Sequence, residues 1–467
     1  MSWKPTIVLV MLAVIAASAA WFTLQQPLAG STGDSSSGSN QSQQRIFPAA
    51  ELSVEDVDGV RIERRGLEPL TFKRDANGNW SQLDPFPFPM DAFSLRQLPR
   101  LSSELLSSGT IERTGESTLA SLGLDPPAAT LTLTNSKAGR EVTVRLGRRT
   151  VGGRAYMQKE RDGPVFIVTD ELARRVLEES PASWRDARFF QYAGVESTRV
   201  EVLERQQSGE YAPGYTMERE RRRWVLAAPL RTRLNQQMSE ERMGRLADLN
   251  SRDFIVDQPD DLGAYGLKEP LMKLSVTSPM RQMQDGRAVT TEVTETLLLG
   301  GPRSMEGSEF YFMIEGVPVV RAMPRRVVDE LRAIGQLIEL LATGIDSADV
   351  KSFRVSGETE FTIARDDEDP SRWVAVDFSN AQVPSRAVQQ LLDNLTSVAA
   401  IDAVVAEYPY DQEIAYITFN SFAGLPLDAV RIAKHTDGTW IISNGDGILR
   451  LFQPSMSLPL TPADFGL

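Results

Sequence analysis

The pentapeptide Gly-Leu-x-x-Pro occurs twice in this chain, as Gly123-Leu124-Asp125-Pro126-Pro127 and as Gly266-Leu267-Lys268-Glu269-Pro270. An alternating apolar run follows each copy, beginning at Ala129 and at Met272. The copies stand 143 residues apart, and a tryptophan precedes each at nearly the same distance, Trp80 by 43 residues and Trp224 by 42. Two unlike residue types that keep their spacing over such a gap mark an internal repeat. That restricts the fold to one small unit used several times. Trp373, 149 residues after Trp224, marks a third and degenerate copy without the Gly-Leu-x-x-Pro turn.

The first unit, residues 51–192, reads as two strands near 60–62 and 70–72, then a hairpin turn at 75–79 that leads to Trp80. A helix follows with Leu95, Leu98, Leu101 and Leu105 at helical spacing, which Pro99 either kinks or starts. After the marker turn come four strands and a closing helix with Leu172, Val176 and Leu177 on one face. The second unit, residues 193–345, repeats that order, with Gly300 answering Gly147 and Tyr311 answering Tyr156. Its marker-to-glycine stretch is 34 residues against 24, as a lengthened hairpin requires. Its closing helix is expected to carry Val327, Val328, Leu331, Ile334, Ile338 and Leu341 on one side. The third unit, residues 346–467, has a helix from about Ser385 and later strands, but a Pro-rich tail replaces the closing helix. A unit that departs from its siblings in this way reads as a cap. The expected fold class is α+β, a tandem array of ββαββββ(α)-type modules with antiparallel sheets.

Ahead of the repeats, residues 6–24 form a stretch of nineteen residues without a charge. As a helix it would span roughly 28 Å, about one bilayer core. Lys4 places the N-terminus in the cytoplasm and the bulk of the chain outside. Residues 1–29 are therefore expected to be a single membrane anchor, and the Ser/Gly-rich residues 30–50 a flexible linker. The rival expectation is a signal peptide cleaved after Ala17-Ser18-Ala19. Both export the rest of the protein.

Composition excludes more than it suggests. With no cysteine there are no disulfides, thiol nucleophiles or Cys-ligated metals, and a histidine-centred triad could use only His435. The net charge of −13 opposes nucleic-acid binding, and 18 acids against 8 bases in residues 346–467 account for most of it. The basic run Glu218-Arg219-Glu220-Arg221-Arg222-Arg223 would suit a lipid headgroup or an acidic glycan. The same turn is neutral in unit one (Asp75 to Asn79) and acidic in unit three (Asp366-Asp367-Glu368-Asp369), so it reads as a solvated hairpin. The acidic version lacks the spacing of a calcium loop. Gly152-Gly153 and Gly300-Gly301 lack a phosphate-loop context. No residue earns a catalytic, cofactor-binding or metal role, and no small-molecule cofactor is expected. Trp80, Gly123, Leu124, Pro127, Trp224, Gly266, Leu267, Pro270 and Trp373 are structural repeat markers.

The arrangement of these markers behind an N-terminal anchor resembles a bacterial envelope family known as domain of unknown function 4340. The resemblance rests on Trp80, Gly123, Leu124 and Pro127, then Trp224, Gly266, Leu267 and Pro270, with Trp373 alone in unit three. It implies a protein of the bacterial inner (cytoplasmic) membrane, single-pass and mainly extracytoplasmic, in the neighbourhood of ABC-transporter permeases of the gliding-motility type. It supplies no catalytic residues. The functional expectation is a non-enzymatic accessory or scaffold protein, held in the membrane by residues 6–24 and bound to an envelope protein. Two alternatives stand beside it. A glycan- or peptide-binding module predicts exposed aromatics between units, and a carboxylate-dependent hydrolase would use a pair such as Asp366 and Glu368.

Overall fold

Burial alternates along the strands that the repeat predicts. In Ala129–Asn135, Ala129, Leu131 and Leu133 are buried while the threonines between them are half-exposed. A strand of that kind buries one face, so its sheet needs a covering layer. In the computed structural model, which describes residues 44–111, 116–284 and 287–467, this pattern builds three nine-stranded antiparallel sheets. The expected anchor at residues 6–24 lies outside the described residues.

Each sheet draws its strands from one continuous stretch. In the first module they are Gly59–Arg64, Leu70–Arg74, Trp80–Asp84, Phe88–Met90, Gly109–Ile111, Ala129–Asn135, Arg140–Thr150, Arg154–Gln158 and Val165–Thr169. The sheet order is four-three-two-one-six-seven-eight-nine-five, and the other two modules have the same order. A helix follows the fourth strand in every module: α1, Ala92–Ser103; α4, Gln236–Ala247; and α6, Ser385–Thr396. Asp91 and Asn235 cap the first two by accepting the backbone N–H of Ser94 and Met238. Pro99 lies within α1 and does not begin it. Between them in the chain are α2 (Glu116–Ser121) and the closing helix α3 (Glu171–Glu178), and α5 (Arg325–Arg332) closes the second module.

Both faces of each sheet are covered. On one side the inward residues meet the helix and form the main core, with Leu95 and Leu98 from α1, Met243 and Leu246 from α4, and Leu391 and Leu395 from α6. On the other side sits a smaller apolar cluster: Leu119, Leu122, Leu124 and Val165 in module one, and Leu267, Leu298, Met313 and Val320 in module two. In module three it is Ala433, Ile441 and Leu449, with Tyr408 packed against them.

The structure corrects the expected order, since four strands precede the helix and five follow it. Three strands per module go beyond the expected six. In module one they are Trp80–Asp84, past the expected hairpin, and the fourth and fifth strands. The fourth and fifth strands of the three modules run only two to four residues, Thr232–Arg233 being the shortest, and Pro87 and Pro89 flank Phe88 in the first module. Such pieces carry too few residues to show a period. The second closing helix is also shorter than expected. It stops at Arg332, a 3-10 turn at Gly335–Leu337 follows, and Ile338 and Leu341 leave in extended backbone.

The third module is not reduced in its sheet, which has all nine strands. Its Pro-rich tail contains a turn that the first module also has. Ser180-Pro181-Ala182-Ser183-Trp184 and Thr461-Pro462-Ala463-Asp464-Phe465 both form a 3-10 turn with proline at its start, and Trp184 and Phe465 are both buried. Leu337 ends the corresponding turn of module two. The lengthened hairpin is an arm in which Met272–Gln284 and Arg287–Pro302 stay paired from Met272 opposite Leu299 out to Gln284 opposite Arg287.

Candidate functional site: the junctions between modules

The repeat markers do not converge on one site. Trp80, Trp224 and Trp373 are buried in three separate main cores. Each stands directly across its hairpin from an arginine, in the pairs Arg74–Trp80, Arg219–Trp224 and Arg365–Trp373. The guanidinium carbons lie 5.9, 5.0 and 4.5 Å from the ring centroids, so every copy keeps a cation–π lid over its tryptophan. Leu124 and Leu267 belong to the small clusters on the opposite face. Gly123 and Gly266 sit at φ +71° and +65°, which suits glycine. Pro127 bridges back to Leu124, and the Pro270 carbonyl accepts the Tyr211 hydroxyl.

Gly147 and Gly300 explain why the marker turn and a glycine travel together. A Cβ on Gly300 would lie 2.3 Å from the Tyr265 carbonyl oxygen, and one on Gly147 would lie 2.5 Å from that of Leu122. Strand register puts Ala433 at the same place in module three, because Leu146, Leu299 and Ile432 pair with Ala129, Met272 and Ala415. That module has no Gly-Leu-x-x-Pro turn, and a side chain fits.

The chemistry that recurs between modules is a buried arginine. Arg321 and Arg450 occupy one position of the ninth strand, opposite Phe312 and Ile442 of the eighth. Arg321 is 2% exposed and donates to the carbonyls of Ala187 and Arg188 in the segment that arrives from module one. It lies 4.2 Å from the Phe189 ring and 5.3 Å from both Phe88 and Phe254. Burial pulls its pKa down to about 10, so it stays charged at neutral pH. Arg185 makes a two-pronged ion pair with Asp257 at 2.7 Å and packs over Phe86, Phe88 and Phe254. The first junction is therefore an aromatic cage around two arginines.

The second junction keeps the position and changes the surroundings. Arg450 is fully buried and donates to the Glu339 carbonyl at 2.9 Å and to Asp446 at 2.7 Å. Asp446 also accepts the Thr232 hydroxyl from module two. Burial raises the Asp446 pKa, but the bonds from Arg450 and Thr232 outweigh it and hold the carboxyl below its usual range. Beside it Arg233 donates to the carbonyls of Leu341 and Ala342 and faces Asp428, which also takes the Thr343 hydroxyl. Burial, followed by the neighbouring Arg450, lowers the Arg233 pKa.

The connecting segments are copies as well. Arg185 bridges to Met90 in module one, and Arg188 bridges to Asn250 in module two. Ile338 and Leu341 make the same two bridges, to Leu234 and Ala399. Arg45 pairs with Leu106 at the corresponding place of module one. The ninth-strand position there holds Phe166, since Met157 is its partner in the eighth. On the receiving side, the residues facing the next module change from Phe86 and Phe88 to Leu230 and Thr232. In module three they become Ser379 and Ala381, both exposed.

Other candidates resolve into local structure. Asp366 accepts the backbone N–H of Glu368 and Asp369, so these acids stabilise a turn. His435 is exposed and lies 3.1 Å from Asp437. Among the described residues no group of three or more His, Asp or Glu could hold a metal ion. The five described tryptophans, including Trp184 and Trp440, are buried, while Tyr192 at the boundary of the first two modules is 47% exposed. The arginine clamps escaped the sequence reading, although a lone arginine within Val319-Val320-Arg321-Ala322-Met323 and Ile448-Leu449-Arg450-Leu451-Phe452 was the available signal.

A family model described as domain of unknown function 4340 (DUF4340) matches residues 80–270 and 224–413. The chain belongs to the DUF4340 family. Both DUF4340 matches begin at the tryptophan of one module and end where the sixth strand of the next begins, beside Met272 and at Glu413. The family unit thus contains a whole junction and crosses from one sheet to the next. The second match reaches into the third module even though the marker turn is missing there. No curated protein and no solved structure matches the chain.

Proposed function

We propose that this DUF4340 protein is a non-enzymatic, membrane-anchored extracytoplasmic scaffold that holds an envelope protein complex, one built around an ABC transporter, at a fixed geometry. The observation that carries this reading is the copied junction. Across the two junctions the buried Arg321 and Arg450 donate to backbone carbonyls of the preceding module, and Arg185–Asp257 and Arg233–Asp428 pair charges. Removing an arginine therefore leaves buried acceptors without their donor, which is costly. Two such clamps in series favour one relative placement of the three modules, the property a scaffold needs. The family match supports it further, because the matched unit is centred on the junction.

Residues 6–24 supply the membrane anchor in this proposal. No helix among the described residues is long and apolar enough to cross a membrane, so that segment is where attachment has to be tested. Pull-down of the detergent-solubilised full chain should recover a membrane partner in repeated preparations. Repeated recovery of the chain alone would overturn the scaffold reading.

A further inference from the structure

The hairpin joining the second and third strands of module two, Tyr211–Glu220 and Arg223–Ala228, closes through two residues, Arg221 and Arg222. Both stand at positive φ, 44° and 73°. This is the turn whose two central positions take Asn-Gly most readily, because an L-residue with a Cβ is strained in the left-handed region. The counterpart turns use polar side chains to their local advantage. Asp75 accepts the backbone N–H of Asn77 and Asn79 around Gly78 in module one, and Asp366 accepts those of Glu368 and Asp369 in module three. Nothing in the hairpin geometry calls for arginine at 221 and 222.

The carboxylates of the hairpin and of the helix beside it do not explain these arginines. Glu218 is held by Arg199, Glu220 by Arg231 and Glu240 by Arg219. The side chains of Arg221, Arg222 and Arg223 are exposed and make no hydrogen bond or ion pair among the described residues. Two unpaired guanidiniums therefore occupy the two-residue turn, and a third, that of Arg223, begins the strand after it. We propose that the Arg221-Arg222-Arg223 turn binds a phosphate group. Guanidinium forks match phosphate oxygens in pairs, and three of them at one tip suit an anion with several oxygens. Arg223 also lines a groove of about 720 Å³ with Asp346 and Asp349. Those carboxylates repel an anion, so the phosphate sits at the tip, outside the groove. A lipid headgroup and a soluble phosphate offer the same chemistry.

The test uses the full chain in neutral detergent and the variant Arg221→Asn/Arg222→Gly/Arg223→Thr, whose Asn-Gly suits the turn. Thermal unfolding of the variant should be unchanged or raised, which separates loss of binding from loss of fold. The probes are inorganic tripolyphosphate and short-chain phosphatidylglycerol, with short-chain phosphatidylcholine and polyglutamate as controls. The wild type should bind a phosphate probe, and the variant should bind it at least tenfold more weakly. Binding of phosphatidylglycerol alone assigns the site to a lipid headgroup, and binding of tripolyphosphate as well assigns it to phosphate in general. Equal binding by wild type and variant, no binding of either probe, or tighter binding of polyglutamate would each overturn the proposal.

Discussion

Replacing Arg450 by Met should open the second junction, and the size of the loss follows from what the guanidinium touches. The side chain is fully buried and bonds to the Glu339 carbonyl and to Asp446, whose own side chain is only 11% exposed. Methionine fills most of the volume but leaves the nearly dry Asp446 carboxylate without its cation, held by the Thr232 hydroxyl and the Ile448 N–H. Removing one partner of a buried pair typically costs about 3–5 kcal/mol. For a unit of this size that corresponds to a drop in the midpoint of module three of roughly 10–20 °C. The double variant Arg450→Met/Asp446→Asn removes the stranded charge and should recover most of the loss. The clamp also has a pH signature. Asp446 has a folded pKa below its unfolded value, so its stabilisation is present above the unfolded pKa and disappears as pH falls through the folded one. Calorimetry of wild type and both variants at neutral pH and below pH 4 measures this directly. A single-variant loss under about 1 kcal/mol, or a double variant no better than the single, would refute the reasoning.

Gly300→Ala should destabilise module two by about 1–3 kcal/mol through the clash with the Tyr265 carbonyl. Ala433→Gly at the equivalent place should cost only about 1 kcal/mol, from the added chain entropy and the lost methyl; denaturant melts compare the two. Burial raises the Tyr215 pKa to about 12, and its hydroxyl donates to the Leu331 carbonyl. Its folded-state stabilisation is complete below the unfolded pKa and is lost as pH rises through about 12. The ultraviolet difference between wild type and Tyr215→Phe should therefore appear near pH 12, and a transition near 10, the ordinary tyrosine value, would contradict the burial. Deleting residues 1–29 should move the protein from the membrane fraction to the soluble fraction, and continued sedimentation with membranes would argue against the anchor.

The residues that were legible in the sequence are those whose chemistry permits no substitute. Gly123 and Gly266 need positive φ, and Gly147 and Gly300 leave no room for a Cβ, so all four remain glycine although the stretch between them differs by ten residues. Trp80, Trp224 and Trp373 fill equivalent cores beneath an arginine lid. The fourth and fifth strands were not legible, because two to four residues carry no period and their place is set by neighbouring strands. The closing turn of module three escaped notice because Phe465 stands where Trp184 does, and only apolar bulk is common to them. The arginine clamps were hidden for a different reason. A basic residue ordinarily marks a solvated face, and it is the partner module that makes Arg321 and Arg450 interior.

The chain has no cysteine, so a pair of spin labels can be placed without altering any native thiol. Labels at Lys137→Cys in module one and Asp437→Cys in module three, both on exposed turns, report the distance across the two junctions at once. Pulsed electron-electron resonance should give a single narrow distance distribution that broadens in Arg321→Met and Arg450→Met. A broad distribution in the wild-type protein, unchanged by either substitution, would mean that the modules move independently and that the arginine clamps do not fix their arrangement.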